Sequence, residues 1–308
     1  MNYDIKIKSE SLHNGQIEFE RLGFLAKSTK EIAQRALMLK IFGYSDIEPD
    51  KQFLKASEIH LEKLSTNKRN GTSMILDCDH FSDSIKNFQF NAFKPELWSE
   101  IQQLTPMALV IKSFRSAIVD SEDKENLDKN LLKSLIRFKK NFSGKNDVFF
   151  LSNRNTIPEI KLKYTDFKKI EQIEESIPEP NKVTVFGTFD ELKYSKQKVV
   201  LLTENGNLNA TIKDESVFLQ MLDFVGKELT ITGMAQYKPN GKLSFIEISG
   251  FSEPGKGDKY FSKIPQALTI QQQMDFQLKE RKSVNPFAQI IGQWPGEEKW
   301  EDIIHDLD

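Results

Sequence analysis

The tightest cluster of side chains that could bind a metal or act as a nucleophile is Asp77-Cys78-Asp79-His80. Carboxylates, thiolates and imidazoles are the ligands that zinc takes in proteins. On an extended strand the two aspartates would lie on one face, and the cysteine and histidine on the other. Either pair would need ligands from elsewhere, and the sequence offers no second cysteine and only three further histidines. The pattern favours the end of a strand with a buried cysteine over a metal site.

His60 is the other candidate for acid–base chemistry. A helix predicted from Asp50 to Leu64 would place it on the same side as Phe53 and Leu61, which is more typical of a partly buried histidine than of a general base. The glycine-rich phosphate-binding motifs, the GxSxG nucleophile motif and the HExxH zinc motif do not occur in the sequence. We therefore predict no catalytic residue and no cofactor. A metal-dependent nuclease in the N-terminal region stays open, because acidic residues are abundant.

A basic segment from Leu131 to Lys169 is better suited to binding phosphates. It contains ten lysine or arginine residues and three acids. Lysines neutralise phosphates and aromatic rings stack on bases. A solvated helix face above an aromatic core would give the same composition, so both interpretations stand. The interleaved aromatic residues are Phe138, Phe142, Phe149, Phe150 and Tyr164, and the predicted phosphate contacts are Lys139, Lys140, Lys168 and Lys169.

The elements that must position these residues form a predicted α+β domain over residues 1–177. Alternating apolar residues indicate strands, and apolar residues three and four apart behind a cap or a proline indicate helices. The acidic segment 120–128 is predicted to be a solvated loop, and 177–180 a proline-restricted linker. The predicted strands are 3–7, 16–22, 73–78, 148–151 and 159–162, and the predicted helices are 28–42, 50–64, 95–104, 106–118, 131–136 and one capped by Thr165.

Residues 181–252 are predicted to form a small β-barrel. Five segments have strand character, and Asn205-Gly206 and Asn240-Gly241 supply residues suited to tight turns. Asp214 would cap a single helix after the third strand, and Gly226 would end it. Three strands, a helix and two strands is the order of the OB barrel, a module that binds oligonucleotides. A small β-roll with a helical plug is the alternative.

The two loops that flank the ligand face of an OB barrel carry basic and aromatic residues in this sequence. We predict nucleic-acid contacts from Lys193, Tyr194 and Lys196 in the first loop, and from Tyr237 and Lys238 in the last. The barrel as a whole is electrically balanced, with eight basic and eight acidic residues from 182 to 251. That balance weakens the nucleic-acid interpretation.

Residues 260–308 are predicted to be a helical, acidic tail. Apolar residues recur at i, i+3, i+4 and i+7 from Trp300, the spacing of one helix face, and residues 297–308 contain six acids and one lysine. Such a helix suits docking into a groove of a partner, although packing on its own protein would use the same pattern. The predicted partner-binding residues are Ile290, Ile291, Trp294, Pro295, Trp300, Ile303, Ile304 and Leu307.

Two strings resemble known families. The segment IIGQWPGEE, from Ile290, followed by an acidic helix, resembles the short tails of bacterial antitoxins encoded beside PIN-domain ribonuclease toxins. The segment MAQYKPNGKL, from Met234, is similar to a stretch of bacterial proteins with an OB-like domain. The first resemblance implies that the tail docks on a toxin and neutralises it. The chain differs from that family in its greater length and in lacking a dedicated DNA-binding N-terminus.

Composition limits the class of protein. The 308 residues are 29% charged and 38% hydrophobic with a net charge of −2, which suits a globular protein and excludes a uniformly basic surface. The single cysteine excludes an internal disulfide and favours a reducing compartment. The charged N-terminus MNYDIKIKSE predicts no signal peptide, and no apolar run approaches the ~20 residues of a membrane span. We expect a bacterial cytoplasmic protein.

Three hypotheses about function follow. The first is a non-enzymatic binding protein of a bacterial toxin–antitoxin or defence locus, an adaptor or antitoxin-like partner of a nuclease that uses the tail. The second is a single-stranded nucleic-acid-binding protein. The third is a metal-dependent nuclease in the N-terminal domain.

Overall fold

The computed structural model describes residues 1–9, 16–67, 71–84, 95–119, 124–153, 157–193, 198–269, 271–272 and 274. One compact unit spans Met1–Ala267, and a second spans Leu268–Asp308. The first unit is a mixed α+β structure with a five-stranded sheet and a separate, closed five-stranded barrel. The α+β class and the barrel predicted from the sequence are thereby confirmed.

An antiparallel sheet organises the N-terminal part of the first unit. Its strands pair in the order β2-β3-β1-β4-β5, so the first strand of the chain lies at the centre. The elements in chain order are β1 (Asn2–Lys8), α1 (Phe19–Phe42), α2 (Lys51–Ala56), β2 (His60–Asn67), β3 (Gly71–Asp77), α3 (Phe81–Ser84), α4 (Pro95–Gln102), α5 (Pro106–Ile118), α6 (Lys129–Phe138), β4 (Val148–Asn153), β5 (Ile160–Lys163) and α7 (Phe167–Glu175).

Helices cover one face of this sheet. The side chains of a strand alternate between its two faces, and on β1 the residues Tyr3, Ile5 and Ile7 are at most 1% exposed. On β4 the ring of Phe149 lies 5.5 Å from that of Phe138, at the end of α6. The apolar residues of α1, α5, α6 and α7 join the same core. The alternate side chains of each strand therefore lie on the opposite face of the sheet.

The start of α1 contradicts the sequence prediction. Residues 16–22 were predicted to form a strand, but α1 begins at Phe19. Ser28, the first residue of the helix predicted over 28–42, lies inside α1 and donates a hydrogen bond to the carbonyl of Leu25 at 3.1 Å. The predicted end is confirmed, since Gly43 adopts a φ of 84° and its N–H donates to the carbonyl of Leu39. A left-handed residue after a helix is usually glycine, which has no Cβ to clash.

The predicted helix from Asp50 to Leu64 is also wrong beyond its first turns. Asp50 caps α2 through the amides of Gln52 and Phe53 at 3.0 and 3.1 Å, but the helix ends at Ala56. The following segment is β2, an edge strand paired with β3. Pairing with a neighbouring strand overrides local helical spacing. His60 accordingly lies on a strand and is exposed.

Two caps differ from the sequence prediction as well. Asp128, predicted to lie in a solvated loop, is 5% exposed and caps α6 through the amide of Leu131 at 2.9 Å. Its carboxylate also accepts hydrogen bonds from the amide and the hydroxyl of Ser45, at 2.6 and 2.7 Å. The last helix of the N-terminal part, α7, is preceded by a short 3-10 turn, so Asp166 rather than Thr165 occupies its N-cap position.

The barrel follows the predicted order element by element. Its elements are β6 (Asn181–Lys193), β7 (Lys198–Thr203), β8 (Gly206–Thr211), α8 (Glu215–Met221), β9 (Glu228–Tyr237) and β10 (Leu243–Ser252). Asp214 caps α8 through the amides of Ser216 and Val217. The strands close in the order β10-β8-β7-β6-β9, with β8 and β10 parallel. This is an OB-like barrel, with its helix between the third and fourth strands.

In the second unit, Thr269 and Gln272 exchange hydrogen bonds between side chain and amide, at 2.9 and 3.2 Å. This reciprocal pattern is typical of the start of a helix. The predicted partner-binding residues of the tail, Ile290 to Leu307, lie outside the described residues. Among the residues that are described, no helix is both long and apolar enough to cross a membrane.

Candidate nucleic-acid interface

Asp77, Cys78 and His80 of the predicted cluster make structural contacts. The carboxylate of Asp77 lies 2.7 Å from the N-terminal amine of Met1. Cys78 is fully buried, and burial raises the pKa of its thiol. The Nδ1 atom of His80 lies 3.0 Å from the carbonyl oxygen of Gln103. Within the described ranges, no group of three or more histidine, cysteine, aspartate or glutamate side chains is arranged to hold a metal ion.

The face of the sheet opposite the helices is basic. On β1, Lys6 and Lys8 alternate with the buried Ile5 and Ile7 and are exposed. On β5, Lys161 and Lys163 likewise alternate with buried apolar residues and are exposed. Residues of one strand that share a face lie two positions apart. The strands β1 and β5, which lie on either side of β4, therefore each present a pair of ammonium groups on the same face of the sheet.

Phe150 lies between these pairs, on the middle strand β4. Its neighbours in sequence, Phe149 and Leu151, are fully buried in the helical core, whereas Phe150 is half-buried on the other face. The strand registers place it opposite Lys6 on β1 and opposite Lys161 on β5. We define the sheet-face patch by five residues: Lys6, Lys8, Phe150, Lys161 and Lys163.

Two ammonium groups flank the ring of Phe150. The Nζ atom of Lys8 is 5.4 Å from the ring centroid, and that of Lys161 is 5.7 Å from it. None of the four lysines forms an ion pair with any of the residues that the structure describes. Asp4 is the acid nearest to them on β1 and is nearly buried, at 9%. The patch thus combines an aromatic ring with cations that have no carboxylate partner among the described residues.

The lysines predicted from the sequence lie on the helical layer. Lys139 pairs with Glu171 of α7 at 2.8 Å, and its Nζ atom lies 4.9 Å from the ring of Tyr164. Lys140, Lys168 and Lys169 are exposed. The helices that carry them pack on the face of the sheet opposite the patch. Three of the interleaved aromatic residues, Phe138, Phe142 and Phe149, belong to the core.

The last loop of the barrel is engaged with the sheet domain. Tyr237 is the final residue of β9 rather than a loop residue, and it is 3% exposed. Its hydroxyl donates to the carbonyl of Gln266 at 3.2 Å, and burial raises its pKa. The Nζ atom of Lys238 lies 3.1 Å from the carbonyl oxygen of Glu125, and Lys242 pairs with the Glu125 carboxylate. A buried ring offers no face for a base, which argues against the predicted role of Tyr237.

The first loop of the barrel is described only at its edges. Lys193 ends β6, and Tyr194 and Lys196 lie outside the described residues. At the other edge, the Nζ atom of Lys198 lies 5.9 Å from the ring centroid of Phe42, at the end of α1. The second and third barrel strands form the usual ligand face of an OB barrel. In this chain the end of α1 lies beside the start of β7, the second barrel strand.

The sites predicted from the sequence do not include the patch, although the sequence contains a signal for it. The strings Ile5-Lys-Ile-Lys8 and Ile160-Lys-Leu-Lys163 share one alternation of apolar and basic residues. Each string alone indicates an ordinary half-buried strand. Only the pairing of β1 and β5 on either side of β4 brings the two strings together.

Comparison of the chain with protein-family models, with curated proteins and with solved structures gives no significant match. The function is therefore argued from the residues of the chain alone.

Proposed function

We propose that this protein binds single-stranded nucleic acid on the open face of its N-terminal sheet. The observation that carries the proposal is the half-buried ring of Phe150 between the ammonium groups of Lys8 and Lys161. Sheets that bind single strands stack bases on aromatic residues of this kind, and lysines contact the backbone phosphates. Bases of a duplex are stacked on each other, so a half-buried ring on the face of a sheet favours a single strand.

The size of the expected effects follows from the patch. One stacked base contributes about 1–3 kcal/mol, so Phe150→Ala should weaken binding about 5- to 150-fold. Each lysine that neutralises a phosphate contributes about 0.7 to the dependence of log K on log salt for a single strand. Replacing Lys8 and Lys161 with glutamine should therefore reduce the salt slope by about 1.4.

Fluorescence anisotropy with short labelled DNA and RNA strands, at several salt concentrations, tests the proposal. Phe19→Ala is the matched aromatic control, because Phe19 is 90% exposed on α1, outside the patch. Replacing Lys168 and Lys169 with glutamine removes the same charge from the helical layer. We expect both controls to bind like the parent. The sheet face would be rejected as the binding site if the controls lost as much affinity as the patch variants, or if the parent bound no strand.

Docking of a toxin or defence nuclease by the tail is a second proposal, favoured by the sequence of residues 286–308. Tryptophan is the residue type most enriched among interface hot spots, and Trp294 and Trp300 are the anchors. Deleting residues 286–308 should abolish capture of that partner while leaving the melting temperature of the remaining chain nearly unchanged. A clear fall in melting temperature without loss of a partner would contradict it. Metal-dependent cleavage of the strands used above would instead favour the nuclease hypothesis.

A further inference from the structure

A cavity of about 190 Å³ lies where the sheet domain meets the barrel. It is far larger than the ~10–15 Å³ that a single water requires, and smaller than the ~300 Å³ at which drug-sized sites begin. Apolar walls come from Ile177, Pro178 and Pro180, which precede the barrel, and from Tyr237 and Phe245 of the barrel itself. The walls suit a small, flat ligand.

The polar groups that line the cavity disfavour an anion. Three carboxylates, those of Asp46, Asp128 and Glu247, face two lysines. One of these lysines, Lys213, is paired with Glu247 at 2.9 Å. The side-chain amide of Gln236 adds a donor and an acceptor, and that of Asn130 donates to Asp46 at 2.9 Å. A ligand that fits this lining is neutral or weakly cationic and carries donors and acceptors on its edge.

One buried hydroxyl that lines the cavity has no hydrogen-bond partner among the described residues. Ser244 lines the cavity and is 8% exposed, and its Oγ atom forms no hydrogen bond with the described residues. Buried hydroxyls in folded proteins are nearly always hydrogen-bonded. The Ser244 hydroxyl therefore gives the cavity a hydrogen-bonding group that the described residues leave unused.

We propose that this cavity binds a single nucleobase, presented as a nucleoside. A base has two flat apolar faces, which match the apolar walls formed by Ile177, Pro178 and Pro180, and an edge that alternates donors and acceptors. The amides, carboxylates and the Ser244 hydroxyl supply the complementary groups. No residue of the sheet-face patch lines the cavity, so this site is independent of the proposed strand-binding surface.

Titration calorimetry and thermal shift of the full chain with adenosine, guanosine, cytidine and uridine, each alone, test the site. We expect at least one nucleoside to bind with one-to-one stoichiometry. Ser244→Ala should weaken that binding at least about tenfold. It should leave the melting temperature without nucleoside unchanged or higher, because it removes a hydroxyl that has no partner among the described residues. Ser249→Ala is the matched control, an exposed serine on the same strand β10, and should bind like the parent.

A second variant, Gln236→Leu, removes one of the lining amides and should weaken binding in the same way if Ser244→Ala fails to fold. The proposal is wrong if no nucleoside binds, or if both variants bind like the parent. Competition by inorganic phosphate would indicate an anion site and would also overturn it. Phe150→Ala should leave nucleoside binding intact, and its loss in that variant would place the binding on the sheet face instead.

Discussion

Replacing Phe245 with alanine should weaken the junction between the barrel and the sheet domain. Phe245 lies on β10, next to Ile246, which is buried inside the barrel. The ring of Phe245 instead joins the core of the sheet domain, 7% exposed and 4.6 Å from the ring of Tyr44. It is therefore an apolar contact between the two parts of the first unit.

The size of the expected loss of stability follows from the burial of the Phe245 ring. Truncating a buried phenylalanine to alanine costs about 3–5 kcal/mol, which includes the lost transfer energy and the cavity left behind. The adjacent strand residues keep their barrel contacts, so the lost stability comes from contacts between the barrel and the sheet domain. We expect the free energy of unfolding to drop by that amount, and cleavage by protease at the linker 177–180 to become faster.

Urea unfolding followed by circular dichroism, with limited proteolysis in parallel, measures both effects. Phe251→Ala is the control, because Phe251 lies on the same strand but packs at 5.2 Å on Phe224 within the barrel. That variant should lose stability without faster cleavage at the linker. A loss below about 1 kcal/mol for Phe245→Ala, or equal cleavage of the two variants, would refute the junction argument.

Three further predictions concern buried groups. Arg21→Met should cost about 3–5 kcal/mol of stability in urea unfolding, because it removes the charged partner of the buried Asp147 carboxylate, which lies 2.8 Å away and is 2% exposed; a loss near zero would contradict this. Gly233→Ala should destabilise the barrel by about 1–3 kcal/mol, since its Cβ would lie 2.2 Å from the carbonyl oxygen of Glu247; an unchanged melting temperature would exclude that close contact. Burial raises the pKa of Asp128, so the folded chain keeps a proton that the unfolded chain releases near pH 3.9. The contribution of Asp128 to stability is then largest below that pH and declines as pH rises through the folded pKa. The stability of Asp128→Asn relative to the parent should therefore rise over the same range, and a pH-independent difference would contradict the shift.

The barrel could be predicted from the sequence because its signals are local. Each strand carries its own alternation, and the turns and the helix cap lie within a few residues of the strands they connect. The N-terminal errors have the opposite origin. The segment after Ala56 has helical spacing, and only its pairing with β3 makes it a strand. The start of α1 carries alternating apolar residues that resemble a strand.

The candidate site could not be predicted for a related reason. A contiguous basic segment was the visible signal, but its lysines are divided between the two faces of the sheet. Lys8 and Lys161 are far apart in the sequence and meet only because β1 and β5 both pair with β4. Which aromatic residue stays outside the core is likewise set by alternation along β4, where Phe149 points inward and Phe150 outward.

Ultraviolet crosslinking of a bound single strand, followed by mass spectrometry, tests the sheet-face proposal most directly. We predict that the main crosslinked peptide contains Phe150, with weaker crosslinks on β1 and β5, and that Phe150→Ala removes the main crosslink. Crosslinks confined to the barrel loops around Tyr194 and Lys238, or to the lysines of α7, would contradict the proposal.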